Sequence, residues 1–257
     1  MTVSGEEPGA TGPEPRPAAD RRSAPAGSRR AAGPLLVLAA VCAALFAALA
    51  ITVSVRHGVP LAPERAAHHW SVAHRGEPLL SLARALTATG TGVVPYLMAV
   101  LAGLLAGRGA PGRLRAVLCA VAVLATGQAI RYGLMVLVAR PRPPVADWVG
   151  HASGCSFPSG HTTTSALAAG ILAWGIARRA RPAVARTCWA VLALWAVGVG
   201  LTRVYLGVHW PGDVLAGWLL ATALLALALL LEPYAVPRPD LRPDPRRAPP
   251  TGGHSHE

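Results

Sequence analysis

The chain has 257 residues, of which 53% are hydrophobic and only 14% charged, and its mean hydropathy is positive. A soluble domain carries about a quarter charged residues, so this balance excludes a soluble globular protein and indicates a helical membrane protein. The net charge is +12 and every basic residue is arginine. Such basicity can serve nucleic acid, but the arginines fall in short segments beside apolar runs, which assigns them to membrane topology; no nucleic-acid partner is expected.

Residues 1–33 are rich in Pro, Gly, Ala, Glu and Arg with no apolar period, and read as a disordered cytoplasmic tail. The apolar run that follows is too long and its charged flank too extended for a cleaved secretory signal. Six stretches then approach the roughly 20 residues that cross a bilayer: about 35–55, 87–107, 115–138, 160–177, 187–204 and 211–231. The second is the weakest, because "TATGTGVVPY" is polar and Gly-rich. The first connection, "PERAAHHWSVAHRGEPLLSLARAL", reads as one or two interfacial helices with Trp70 at headgroup depth. His68, His69 and His74 within it lack i,i+4 spacing and a carboxylate cluster, so they read as exposed loop histidines. Cys42, Cys119 and Cys188 sit in apolar runs and read as small buried hydrophobes, whereas Cys155 lies in a polar loop. The predicted organisation is an all-α, six-helix transmembrane bundle over 34–233, with a second disordered cytoplasmic tail over 234–257 that ends in "GGHSHE".

Sixteen of the 24 arginines fall in the N-tail, the 2–3 loop, the 4–5 loop and the C-tail. The positive-inside rule places those segments in the cytoplasm. The expectation is a multi-pass protein of the cytoplasmic membrane with both termini inside, and with the 1–2, 3–4 and 5–6 connections facing out.

Three polar clusters share that outer side: Arg140-Pro-Arg-Pro after the third span, Pro158-Ser-Gly-His161 before the fourth, and "TRVYLGVHWPGD" from Thr202 to Asp213 before the sixth. Arg142 and Arg203 are permanent cationic forks suited to phosphate oxygens. Ser159 offers a hydroxyl, and Gly160 lets a ligand approach the backbone at a helix start that favours anions. His209 precedes Asp213 by four residues. That carboxylate can accept the Nδ1–H and leave Nε2 free to attack, while His161 can protonate a leaving alkoxide. Attack then needs neutral His209 and protonated His161, which predicts a bell-shaped pH profile.

These motifs resemble the type-2 phosphatidic acid phosphatase superfamily, whose pattern is Lys-x6-Arg-Pro, then Pro-Ser-Gly-His, then Ser-Arg-x5-His-x3-Asp. Here the corresponding residues are Arg142-Pro143, Pro158 to His161, and Thr202-Arg203 followed by His209 and Asp213. The resemblance covers about 35–231. It implies His209 as the nucleophile forming a phosphohistidine, Asp213 as its orienter and His161 as the acid. It implies Arg142, Ser159, Gly160 and Arg203 as the phosphate cradle, with no metal or other cofactor. Thr202 stands where the pattern has serine, and Met135 where it has lysine. Arg131, one turn before Met135 on the same helical face, is one candidate for the missing cation, although about 6 Å deeper by helical rise. An arginine within a span is functional by default. Arg140 in the loop is the other candidate.

The expected activity is hydrolysis of a lipid-linked phosphate monoester or pyrophosphate on the outer face, with phosphatidic acid, phosphatidylglycerol phosphate and polyprenyl pyrophosphate all fitting. The expected partners are that lipid phosphate and the surrounding membrane lipids; oligomeric state is not legible. The alternative is a non-catalytic lipid-phosphate binder or carrier of the same fold. Binding alone needs no nucleophile and orienter, so His161, His209 and Asp213 favour the enzyme.

Overall fold

The computed structural model describes residues 26–236, and these are helical with no strand. In chain order the helices are α1 (Ala26–Val55), α2 (Ala62–Ala73), α3 (Glu77–Ala88), α4 (Val93–Ala106), α5 (Gly109–Val138), α6 (Gly160–Ala177), α7 (Pro182–Tyr205) and α8 (Pro211–Ala235), with a 3-10 turn at Val145–Asp147. Helix α1 begins inside the segment read as a tail. Residues 1–25 and 237–257, including "GGHSHE", lie outside the described residues.

Among the described residues, four helices are long and apolar enough to cross a membrane: Ala32–Val55 of α1, then α5, α7 and Pro211–Glu232 of α8. A fifth crossing arises if α3 and α4 count as one span bent by 51°. The bend falls where the sequence is weakest. Gly92 there has φ +69, which glycine adopts without the penalty a Cβ imposes. The Trp195 indole N–H donates to Thr89 Oγ1 at 2.9 Å and pins the elbow to α7.

Helix α6, the stretch predicted as the fourth span, is 18 residues long and packs against α4, α5, α7 and α8. Its polar start, Gly160 to Ser165, lowers its hydropathy, and its burial inside the bundle removes the need for a lipid-facing apolar surface. Thr162, Thr163 and Ser165 are fully buried. Their hydroxyls are satisfied locally: Thr163 donates to the Ser159 carbonyl at 2.9 Å and Ser165 to that of Thr162 at 3.2 Å. Small residues bring backbones together, as in other membrane bundles; a Cβ on Gly175 would overlap the Ala102 backbone. Ala99, Ala102, Leu124, Leu167, Ile171 and Ala221 form the core around this helix. A second cluster, Phe46, Val53, Phe157, Ala216 and Leu220, joins α1 to α8.

The first connection folds as the two short helices α2 and α3. Trp70 is exposed and stacks on His74, with ring centroids 4.7 Å apart. His69 and His74 are exposed as expected, but His68 is not. It is 2% exposed, and its Nε2 lies 2.9 Å from Asp147 Oδ2. A carboxylate 79 positions away supplies the partner that local spacing did not reveal.

Candidate active site

The C-terminal ends of α5 and α7, the N-terminal ends of α6 and α8, and the α3–α4 elbow converge at one end of the bundle. Helix α5 stops at Ala139, which takes the left-handed conformation at φ +49 and donates its N–H to the Met135 carbonyl. The chain then leaves the helix through Arg140-Pro-Arg-Pro. Motif two is tied to motif three through the backbone: Ser159 N–H donates to the Asp213 carbonyl at 3.0 Å.

His209 lies in the turn between α7 and α8 and is 2% exposed. Its Nδ1 faces Asp213 Oδ2 at 3.4 Å, and its Nε2 faces Arg142 Nη1 at 2.9 Å. An arginine only donates, so Nε2 carries the lone pair and Nδ1 the proton. That is the tautomer a nucleophilic Nε2 requires. Burial holds the imidazole well below its ordinary value, at about 4, against the opposing pull of Asp213 and with further help from the charges on Arg142 and Arg203. His209 is therefore neutral at physiological pH.

Asp213 is fully buried and serves three groups. Oδ2 faces His209 and also accepts the Trp210 backbone N–H at 2.9 Å; Oδ1 accepts from Arg140 Nη1 at 2.7 Å. Arg140 also bonds both oxygens of Glu64, at 3.0 and 2.8 Å. Glu64 in turn accepts the N–H groups of Leu61 and Gly212. Burial works against the Arg140 charge, but the two carboxylates outweigh it and raise its pKa. Arg140 lines neither cavity at this end of the bundle. As a replacement for the missing lysine it is thus ruled out by its partners: its charge is already neutralised twice over.

Arg142 has all five N–H donors engaged. They go to the carbonyls of Gly154, Val208, Ser153 and Cys155, at 2.8–3.0 Å, and to His209 Nε2. Burial lowers its pKa, partly offset by Asp213 and Cys155. It ties the 153–155 loop to the His209 turn. For Arg142 to hold a phosphoryl oxygen, the simplest exchange gives up the bond to Nε2, which also bares that nitrogen's lone pair.

A cavity of about 370 Å³ opens onto His209. Its cations are Arg131, Arg142 and Arg203, and Gly160 and His161 form its helical wall. Arg203 is 2% exposed; Nη1 donates to Thr87 Oγ1 at 2.9 Å and Nη2 to the His151 carbonyl at 3.2 Å, while Nε is buried without a partner. Arg131 likewise has a buried Nε without a partner, and its Nη1 contacts Met135 Sδ at 3.2 Å. A Cβ on Gly160 would stand 3.3 Å from Arg131 Cζ, so glycine there makes room for the guanidinium. Arg131 thus reaches the cavity despite its depth in α5. His161 is half-buried, with Nε2 3.3 Å from Thr91 Oγ1.

Five of the other six residues singled out from sequence meet around His209: Asp213 behind it, and Arg142, Gly160, His161 and Arg203 at the cavity wall. Ser159 is seated differently. It is fully buried, does not line the cavity, and its Oγ accepts from Thr162 Oγ1 at 3.0 Å. Sequence reasoning missed Glu64, Thr91, Gln128 and His151. Only Gln128, a polar residue inside an apolar run, left a signal. Among the described residues no group of three or more His, Cys, Asp or Glu side chains is arranged to hold a metal.

Apolar helices long enough to span, gathered around a buried His–Asp pair and an arginine-walled cavity, define a multi-pass membrane protein with a cationic cavity beside a buried histidine. Residues 116–240 match the model of the PAP2 superfamily. Phosphatidylglycerophosphatase B of Escherichia coli (strain K12) is 41% identical over 83 residues, 31% of this chain and 30% of that protein. Undecaprenyl-diphosphatase of Sulfolobus acidocaldarius is 48% identical over 44 residues, 17% of this chain and 21% of that protein. The chain thus spans less than a third of the length of these two relatives. The crystal structure of a transmembrane PAP2 type phosphatidylglycerolphosphate phosphatase from Bacillus subtilis shares the fold. Its TM-score is 0.65 at 24% identity, over 76% of this chain and 96% of that one.

Proposed function

We propose that this chain is a membrane phosphatase that hydrolyses a lipid-linked phosphate monoester or pyrophosphate through a phosphohistidine, without a metal. The observation that carries this reading is the His209 ring: neutral, backed by Asp213, with its Nε2 lone pair turned to a cavity lined by three arginines. In the first step Nε2 attacks phosphorus, Arg142 exchanges Nε2 for a phosphoryl oxygen, and the P–O bond to the leaving group breaks. His161 gives a proton to the departing oxygen. The positive charge developing on His209 is offset by Asp213. In the second step His161 takes a proton from water, which attacks phosphorus, breaks the N–P bond and releases inorganic phosphate. Arg131 takes the place of the missing motif-one lysine, and Arg203 and the N–H groups that open α6 complete the clamp.

On this reading α6 is the fourth span and brings the total to six, and its polar start is tolerated because it lines the cavity rather than lipid. The arginine distribution supports cytoplasmic termini and a site on the outer face of the cytoplasmic membrane, where the headgroup enters while the tails stay in the bilayer. Phosphate release from dioleoyl phosphatidic acid, phosphatidylglycerol phosphate and a polyprenyl diphosphate in micelles tests the proposal. His209→Ala should lower turnover by at least about 10³-fold. Equal release by the variant and the wild-type chain would sink it.

A further inference from the structure

Beside the His209 cavity lies a second, more open one of about 760 Å³. The two share Thr91, His151, His161 and Arg203, so they are neighbouring chambers with a common wall. His209 lines only the first. His161, the proton donor of the proposed mechanism, lines both, so a leaving group that it protonates can extend into the second chamber. That chamber adds Arg84 from α3, and no carboxylate lines it. Arg84 is exposed but tethered: Nε donates to the Val149 carbonyl at 3.1 Å, and both terminal nitrogens have no acceptor among the described residues. In the shared wall, the unpartnered Nε of the buried Arg203 is a donor whose desolvation no protein group offsets.

Two guanidinium groups with uncommitted donors, facing one chamber free of acids, call for an anion on the leaving-group side. We propose that the second chamber binds a second phosphate of the lipid substrate, held by Arg84 and Arg203. The preferred substrates are then lipids with two phosphates, a diphosphate or a phosphodiester bearing a terminal phosphate, over those with one. The proposal rests on the phosphatase reading of His209 for the direction of departure. It deepens that reading by choosing among its substrates, and phosphatidic acid becomes the poor one. The bond broken joins the phosphate at His209 to the oxygen on the Arg84 side. That oxygen leaves with the electron pair, and its charge is met by Arg203 and by the His161 proton.

The test separates binding from turnover. The purified full chain in detergent micelles is titrated calorimetrically with inorganic phosphate and with methylenediphosphonate, which cannot be hydrolysed. The diphosphonate should bind at least about tenfold tighter, as two charge-assisted contacts would give. Arg84→Gln should bring the two ligands to within about twofold, with phosphate affinity unchanged. No preference in the wild-type chain, or a preference that survives Arg84→Gln, overturns the proposal. Turnover of geranylgeranyl diphosphate should exceed that of inorganic pyrophosphate; equal rates overturn the lipid assignment. A chain that shows the diphosphonate preference but no His209-dependent release keeps the second site and loses the phosphatase reading. One that releases phosphate without the preference loses only the second site.

Discussion

Arg140 and Arg203 are equally hidden, at 1% and 2% exposure, but Arg140 bonds Asp213 and lines neither cavity, whereas Arg203 lines both. Arg140 is saturated: Glu64 and Asp213 take its charge, and the Gly58 carbonyl accepts its Nε–H at 3.3 Å. Arg203 is under-satisfied: its partners are a hydroxyl and a carbonyl, and its Nε has none. The difference teaches that burial alone does not mark a ligand-binding arginine. A buried cation whose charge is met within the protein holds structure, whereas one whose charge is unmet waits for an anion.

The sharpest way to break this contrast is to remove each arginine and read folding and turnover together. Arg140→Gln leaves Asp213 and Glu64 as two buried carboxylates without a cation. It should cost about 3–5 kcal/mol of stability, read as a fall in the thermal midpoint in detergent. Arg203→Ala and Arg131→Ala should leave that midpoint nearly unchanged while lowering kcat/KM by about 10²–10³-fold. If Arg203→Ala unfolds the chain as Arg140→Gln does, the contrast fails.

Titration of His209 sharpens the comparison from a third side. The folded chain keeps this ring neutral down to about 4, whereas its ordinary value is 6.5. Between those values the unfolded chain binds more protons, so stability is present in full above 6.5 and is lost as pH falls towards 4. The loss amounts to about 3 kcal/mol, and His209→Asn should abolish that part of the pH dependence of denaturation. By the same shift, the acid limb of kcat/KM should lie near 4, below the position of an ordinary histidine. The smallest effect is expected from Met135→Lys, which restores the family pattern. The new ammonium would sit one turn from Arg131, whose Nη1 now touches Met135 Sδ. Repulsion between neighbouring like charges on a helix is worth a few tenths of a kcal/mol, so kcat/KM should change by less than about threefold.

Much of the bundle was legible because lipid-spanning helices satisfy their backbone internally and advertise themselves by composition. The first, third, fifth and sixth predicted spans fall within α1, α5, α7 and α8. The elbow between α3 and α4 was visible as a polar, Gly-rich weakness, but its angle was not. The His209–Asp213 pair was legible for a local reason: four residues across a helix start bring the two side chains together whatever the rest of the fold does. Glu64 was not, because its partner lies 76 positions away and nothing near it in sequence asks for a cation. For the same reason His68 read as a loop histidine, and Ser159 read as a phosphate ligand although its hydroxyl lies behind the cavity wall.

By itself, the sequence determined the helical membrane class, the motif pattern and the pairing of His209 with Asp213, because hydropathy and short spacings are properties of adjacent residues. Only the tertiary structure brought Arg131 to the cavity and tied Arg140 to Glu64 and Asp213, set Ser159 back from the cavity, and opened a second chamber beside Arg84. Which donors remain unpaired is a property of the packed whole: each arginine's role depends on what carboxylates and carbonyls the fold brings to it from distant parts of the chain.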